Sequence, residues 1–445
     1  MMARTMTAAG DSAHSNLFDR VFGLERHEYA AAAWSFLYFF CVLSAYYILR
    51  PVREAMGVES GPATLPYLFM ASFVVMLLAT PVFGWITSRY PRKIFLPCVY
   101  AFFIVNIVIF WAIFAQRIDE GQSHVWLGRI FFVWLSVFNL YVVSVFWSFM
   151  ADIYTREQGR RLFGLLSSGG STGALLGGTA TSTWVVDINF HNLLPISALL
   201  LAFAIVCIWQ LKKWVTHEGQ EQPGHSIEMD QSLGGSALAG ATHANRSNYF
   251  RAIVVASIIA SLLGTALYLF RAELVAASIS DINLQTRFFS NINVATNLLT
   301  IIGQMFLVRF VVRRFGIGIA LSIMPALSIL CFVWVAMDPS LMVIAIVEII
   351  RRSTGFTFSK PATDMLYSVV TPEEKYKTKN FIDTTVYRFG DVIGIWAILL
   401  MLLRMGMTAV SYIMVPFALI WTAIALWLGK DYRRRARELR RIGLT

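Results

Sequence analysis

Residues 30–49 read AAAAWSFLYFFCVLSAYYIL, twenty positions without a charged side chain. Coiled as a helix at 1.5 Å per residue, such a run reaches about 30 Å, the thickness of a bilayer's hydrocarbon core. The run is continuous rather than alternating over about ten residues, so it reads as a membrane-spanning helix and not as a barrel strand. The rest of the chain decides how many more there are.

Runs of the same kind recur at about 65–87, 94–115, 126–150, 162–184 and 193–214, and again at about 252–270, 288–312, 317–337, 341–357, 382–403 and 409–428. Between the two sets lies THEGQEQPGHSIEMDQSLGGSALAGATHANRSN (216–248), polar, without an apolar period, and read as a flexible connection. The expected architecture is an all-α membrane protein of twelve transmembrane helices in two six-helix halves. Its expected parts are an N-terminal segment (1–29), a first half (30–214), a linker (215–250), a second half (251–429) and a basic tail (430–445). The composition agrees: of 445 residues 57% are hydrophobic and 14% charged, against about 25% charged in soluble domains.

The net charge of +11 follows from topology. Basic residues gather in RYPRK (89–93), TREQGRR (155–161), RRFG (313–316), the 375–379 lysines and the KDYRRRARELRR tail. All fall on one side if the amino terminus is cytoplasmic, which is the positive-inside pattern. Both termini are therefore expected in the cytoplasm, in a multi-pass protein of the cell's inner (plasma) membrane. Anionic lipid accounts for the basic surface without a nucleic-acid partner. The first 29 residues lack a signal peptide's apolar stretch and cleavage site, so they are expected to stay attached. Cys41, Cys98, Cys207 and Cys331 each sit in an apolar run without CxxC spacing and read as small buried hydrophobes. With no Walker sequence, catalytic triad spacing or metal cluster, neither an enzyme nor a cofactor or metal is expected.

Two halves joined by a polar loop are the plan of the major facilitator architecture. GWITSRYPRK (84–93) resembles the GxxxDRxGRR loop found there after the second helix, with Ser88 and Pro91 in place of Asp and Gly. GQMFLVRFVVRRFG (303–316) sits at the equivalent place in the second half. Arg89 and Arg92 are accordingly candidates for gating.

Charges flanked by apolar sequence are the functional candidates, because one near the bilayer centre costs at least about 2.5–3.5 kcal/mol and needs a partner or a wet cavity. They are Arg50, Arg53 and Glu54 after the first run, Arg271 and Glu273, the Glu348, Arg351 and Arg352 set, and Asp383, Arg388 and Asp391, with the polar amide of Asn139 beside them. Arg50 and Arg53 share a helical face. Pro51 between them is expected to break the helix, aiming two guanidinium forks at a phosphate or carboxylate. The alternative is an interfacial anchor paired to Glu54. Gly169, Gly173 and Gly177, spaced by four, read as a strip for close helix packing rather than a phosphate loop, since no Gly-Lys-Ser/Thr follows.

SKPATDMLYSVVTPEEKYKTKNFIDTTVYRFGD (359–391) resembles the ATP/ADP translocase family's DPxKEMAYIPLxxExKxKGKAAIDVVxxRxGK. Pro361, Asp364, Met365, Tyr367, Glu373, Lys375, Lys377, Lys379, Ile382, Asp383, Arg388 and Gly390 fall in register. LRPVRE (49–54) is similar to the family's LRDTKD, and VVSVFWSFMADIYTREQGRRLFGLLSSGG (142–170) to its VVSVLFWGFANxxxxxxEAKRFYxLFGLGAN. Three charge positions depart. The family's acid before VVSV meets only Leu135, Ser136 and Asn139, its lysine after RxG is Asp391, and its glutamate near the seventh run falls by Arg271, with Glu273 two residues on.

The resemblance implies a monomeric antiporter of an anionic solute, ATP/ADP or another nucleotide. Arg50, Arg53, Glu54, Asn139, Arg271, Glu273, Arg352, Arg388 and Asp391 would then bind substrate. Lys379 and Asp383 would serve a gate with Arg89 and Arg92. The alternatives are a proton-coupled facilitator of a non-nucleotide solute, using Glu54, Asp383 or Asp391, and a non-transporting membrane partner.

Overall fold

The computed structural model describes residues 28–89, 92–217, 247–370, 378–379 and 381–441, without the side chains of 83, 84, 86–88, 92–94, 156, 160, 216, 217, 383 and 384. The linker from 218 to 246, most of the N-terminal segment and Lys375 and Lys377 thus lie outside the described residues. Helices α1 (Tyr29–Glu59), α2 (Leu65–Arg89), α3 (Arg92–Asp119), α4 (Val125–Ile153), α5 (Arg156–Ile188) and α6 (Leu193–His217) make the first half. The second holds α7 (Asn248–Ser278), α8 (Ile282–Ile302), α9 (Val308–Met337), α10 (Leu341–Thr354), α11 (Lys360–Leu366) and α12 (Tyr387–Arg441). One-turn π-helices, Gly303–Leu307, Gly355–Ser359 and Phe381–Val386, lead into α9, follow α10 and lead into α12.

Among the described residues, eight stretches are long and apolar enough to cross a membrane, and two of these, Ile282–Met337 and Tyr387–Arg441, run to 56 and 55 residues. Each is about twice one crossing, and each is broken at a glycine: Gly316 (φ 81°, ψ 173°) and Gly406 (φ 77°, ψ 168°). That backbone region is essentially reserved for glycine. With these breaks, and with α5 and the α10–α11 stretch as further crossings, the described helices are consistent with twelve.

Several helix starts are written locally. Thr155 and Gln158 form a reciprocal capping box before α5, and the side chains of Asp281 and Ser340 accept from Leu284 and Val343 at the starts of α8 and α10. The last helix outlasts its apolar run and continues through the basic tail to Arg441. Asp431 holds the extension by pairing with Arg435 at 2.9 Å and with Arg434, while Arg435 lies 4.5 Å over the Tyr249 ring of α7.

The glycine strip of α5 meets the backbone of α1. A Cβ on Gly169 or Gly177 would come within 2.5 Å of the carbonyl oxygens of Phe36 and Ser44, and one on Gly173 would strike that of Phe40. Ser44 Oγ donates to Gly173 O at 3.0 Å across the same interface. Cys41, Cys207 and Cys331 are buried as expected. Cys98 is exposed on α3, where an apolar run faces outward because lipid, not protein, is its solvent.

The two halves join at the side of the molecule where α1 ends. There Ala55, Val58, Leu65, Leu68 and Phe132 of the first half pack into the core of the second with Leu263, Phe270 and Ile395. Ser182 donates to Asn291, Asn283 Nδ2 to Asn189 at 3.0 Å, and Ser290 Oγ to Gly178 O at 2.6 Å. The Tyr67 and Trp396 rings meet edge-on at 4.9 Å. This seam closes the molecule on the side opposite the chain termini.

Candidate functional site

Just inside that seam lies a cluster of buried charges. The helix does not break at Pro51: α1 runs unbroken to Glu59, so Arg50, Arg53 and Glu54 stand on a continuous, packed helix. Proline removes one backbone hydrogen bond and crowds the preceding turn, but several buried turns on each side hold the axis together. Pro51, Val52 and Glu54 are themselves buried. Extending the helix ten residues beyond the apolar run places the three charges inside the bundle.

Glu54 accepts from Arg53 Nη1 at 2.9 Å and from Arg271 Nη2 of α7 at 2.7 Å. The other terminal nitrogen of Arg271 donates to Glu348 of α10. Arg352 lies one helical turn from Glu348 and 3.4 Å from the same oxygen, and its Nη2 donates to Asn293 of α8 at 2.9 Å. Aromatic faces hold the guanidinium groups: Arg53 lies 3.8 Å over Phe132, and Arg271 sits 4.9 and 4.8 Å from the Tyr268 and Phe289 rings. Arg50, 5.6 Å from the Tyr47 ring, interacts electrostatically with both glutamates. The side chains of Glu54, Arg271 and Glu348 are 7%, 5% and 10% exposed.

Four arginines, Arg50, Arg53, Arg271 and Arg352, thus meet two glutamates, an excess of two positive charges among the described residues of this buried and half-buried cluster. Spare hydrogen-bonding capacity remains as well, because Arg271 Nε and Glu348 Oε2 have no partner among the described residues. A multiply charged anion with planar or tetrahedral oxygens suits such a set, since guanidinium forks bind phosphate and carboxylate bidentately.

A second polar group lies one turn away. Arg351 donates to the Ala260 carbonyl at 2.8 Å, packed against Gly264, where a Cβ would come 3.1 Å from Nη2. Asp391 accepts from Ser261 Oγ at 2.5 Å and interacts electrostatically with Arg351 and Arg388.

The candidates distribute as follows. Arg50, Arg53, Glu54, Arg271 and Arg352 come together; Asp391 lies in the adjoining group. Glu273 is exposed two residues beyond Arg271, Arg388 is exposed, and Asn139 is half-buried on α4 without a described bond to the cluster. Lys379 pairs with Asp364 at 2.9 Å, and Lys360 lies 3.7 Å from the same carboxylate. Arg89 is exposed with its guanidinium 5.5 Å from the Trp85 ring; the side chains of Arg92 and Asp383 lie outside the described residues. Glu348 stood among the charges flanked by apolar sequence but not among the residues expected to bind substrate, and Asn293 was not expected in the site. The i, i+4 spacing of Glu348 and Arg352 on an otherwise apolar helix carried the signal for the first. For Asn293 only the fold supplies it. Among the described residues no group of three or more His, Cys, Asp or Glu side chains could hold a metal ion.

Known proteins agree with this architecture. Residues 35–395 match the family model described as Major Facilitator Superfamily. ADP,ATP carrier protein 2 of Chlamydia pneumoniae is 20% identical over 483 aligned positions, covering 91% of this chain and 89% of the carrier. Of solved structures, a bacterial homologue of the iron transporter ferroportin in its inward-facing state superposes with a TM-score of 0.60 at 12% identity, covering 92% of this chain and 98% of that one. The nucleoside transporter NupG does so with a TM-score of 0.51 at 17% identity, covering 92% and 99%.

Proposed function

Because this chain belongs to the Major Facilitator Superfamily, we propose that it is a secondary transporter of an anionic, nucleotide-like solute, which it binds on Arg50, Arg53, Arg271 and Arg352 and moves by alternating access. The observation that carries this reading is the Glu54–Arg271–Glu348 bridge. It joins the two halves through Arg271, one of the arginines an anion would seek. An entering phosphate competes with the glutamates for those arginines, so occupancy of the site and the bond between the halves are linked. The names of the relatives, ADP,ATP carriers, favour a nucleotide among anions.

In this reading the termini are cytoplasmic, the protein is a monomer of the inner membrane, and the closed seam is the outer gate. The structure then corresponds to a state closed at the outer gate. Lys379 and Asp364 belong to the cytoplasmic gate with Asp383, Arg89 and Arg92.

Asp391 favours a second reading, proton coupling. It stands where the ATP/ADP translocase pattern has lysine, and it is held by a hydroxyl rather than by a described ion pair. Reconstituted protein separates the readings. Nucleotide counterflow without a gradient supports exchange, uptake of a non-nucleotide solute only under a pH gradient supports coupling through Asp391, and neither supports a non-transporting partner.

A further inference from the structure

A groove of about 850 Å³ opens on the flank of the first half between α2, α3 and α4, away from the arginine cluster. Leu68, Val75, Phe103 and Val137 are among its apolar lining. The α2 wall runs from Thr64 to Val75, roughly 16 Å at 1.5 Å per residue, from the rim of the membrane toward its middle. One charged residue lines it among those described, Arg129 in the first turns of α4.

Arg129 is poorly satisfied by protein. Its Nε is buried without a partner among the described residues, and its Nη2 reaches Ser60 O at 3.5 Å. The guanidinium lies 4.4 Å over the ring of Trp126, which is 74% exposed at the same rim. A cation with free donors at the interface, above an apolar trench that descends into the hydrocarbon, matches one molecule of its surroundings in both charge and polarity. We propose that the groove holds a single phospholipid of the adjoining leaflet, its phosphodiester on Arg129 and an acyl chain along Leu68, Val75 and Phe103. The fork and the spare Nε–H suit phosphate oxygens, and the tryptophan sits at headgroup depth, as aromatic belts do.

Delipidated protein in a nonionic detergent, titrated with phosphatidylglycerol and counted by native mass spectrometry, tests this. Wild type is expected to retain one phosphatidylglycerol and to lose a diacylglycerol of the same chains, which lacks the phosphate. Arg129→Gln should weaken retention at least about tenfold, and Ala71→Trp, which fills the trench but keeps the arginine, should abolish it. Arg309→Gln, an exposed cation of α9, should change nothing. Equal retention of the lipid and the diacylglycerol by wild type would overturn the proposal, leaving Arg129 as an interfacial anchor. So would unchanged retention in both groove variants, or an equal loss in Arg309→Gln.

Discussion

Arg271 of α7 reaches across the seam between the halves to set its Nη2 2.7 Å from Glu54 Oε2 of α1, and its other terminal nitrogen holds Glu348. One guanidinium group therefore bonds two carboxylates, each with at most a tenth of its side chain exposed. Removing it breaks the link between the halves and leaves Glu54 to Arg53 and Glu348 to Arg352.

Arg271→Gln is expected to destabilise the folded protein by about 1.5–3 kcal/mol, the worth of its charge-assisted bonds to Glu54 and Glu348. Adding Glu54→Gln and Glu348→Gln to the same chain should destabilise it further, because Arg50, Arg53 and Arg352 then crowd one space without a carboxylate. Thermal unfolding in detergent compares the three proteins. A triple variant as stable as Arg271→Gln would show that the ion pairs are not what holds the cluster.

The α1–α5 interface has no room for side chains at its glycines. Gly173→Val should push α1 away from α5 and cost at least about 1–3 kcal/mol, with loss of folded yield on size-exclusion chromatography. Gly159→Val, at a position where no described atom lies within 4 Å of the added Cβ, should cost nothing, because valine is no poorer a helix former than glycine. Equal behaviour of the two would contradict the packing described.

Gly316 and Gly406 break the helix between consecutive crossings, each with a positive φ. Each alanine substitution there forces a side chain into a region that costs about 1–3 kcal/mol, although nothing within 4 Å would touch the added Cβ. Lowered unfolding temperatures for Gly316→Ala and Gly406→Ala check this, and unchanged temperatures would mean that the turns relax freely.

On the seam side, His124 stands just before α4 with Nε2 3.1 Å from Glu59 Oε1. The Glu59 carboxylate raises the imidazole's pKa above its usual value, outweighing the opposing effect of burial. A raised folded-state pKa stabilises fully below the unfolded value, about 6.5, and the gain fades as pH rises through the raised value. Wild type should therefore exceed Glu59→Gln in unfolding temperature at about pH 5.5, with the gap closing at higher pH. A gap independent of pH would exclude His124 as its source.

Much of the fold is readable in the sequence because lipid forces backbone bonding into helices, and an apolar run of fixed minimum length is hard to mistake. The glycine strip was legible for a similar reason: spacing by four on a helix has one geometric consequence. The site was legible only in part. Arg50, Arg53 and Glu54 stood out as charges beyond an apolar run, yet the end of the run, not Glu59, marked the apparent end of the helix, and Pro51 looked like a break. Packing on both flanks decides whether a proline bends a helix, and that is not local information. Glu273 entered as the acid two residues from Arg271, and Arg388 by its register in the 359–391 stretch. On a helix a displacement of two residues turns a side chain to another face, and Glu273 is exposed for that reason while Arg271 is buried; Arg388 is exposed but interacts electrostatically with Asp391.

The central claim is that the uncompensated arginines bind the transported anion, and affinity measured by counterflow competition tests it most directly. Wild type, Arg53→Ala, Arg352→Ala and Arg352→Lys are compared in proteoliposomes at matched protein levels with a panel of nucleotides and other organic anions. Each alanine variant should lose a charge-assisted bond, a fall in affinity of roughly ten- to over one-hundredfold. Lysine at 352 should recover only part, since an ammonium keeps the charge but not the fork. Affinities unchanged across all three variants, with only yield or stability altered, would contradict the account and leave these arginines as struts of the seam.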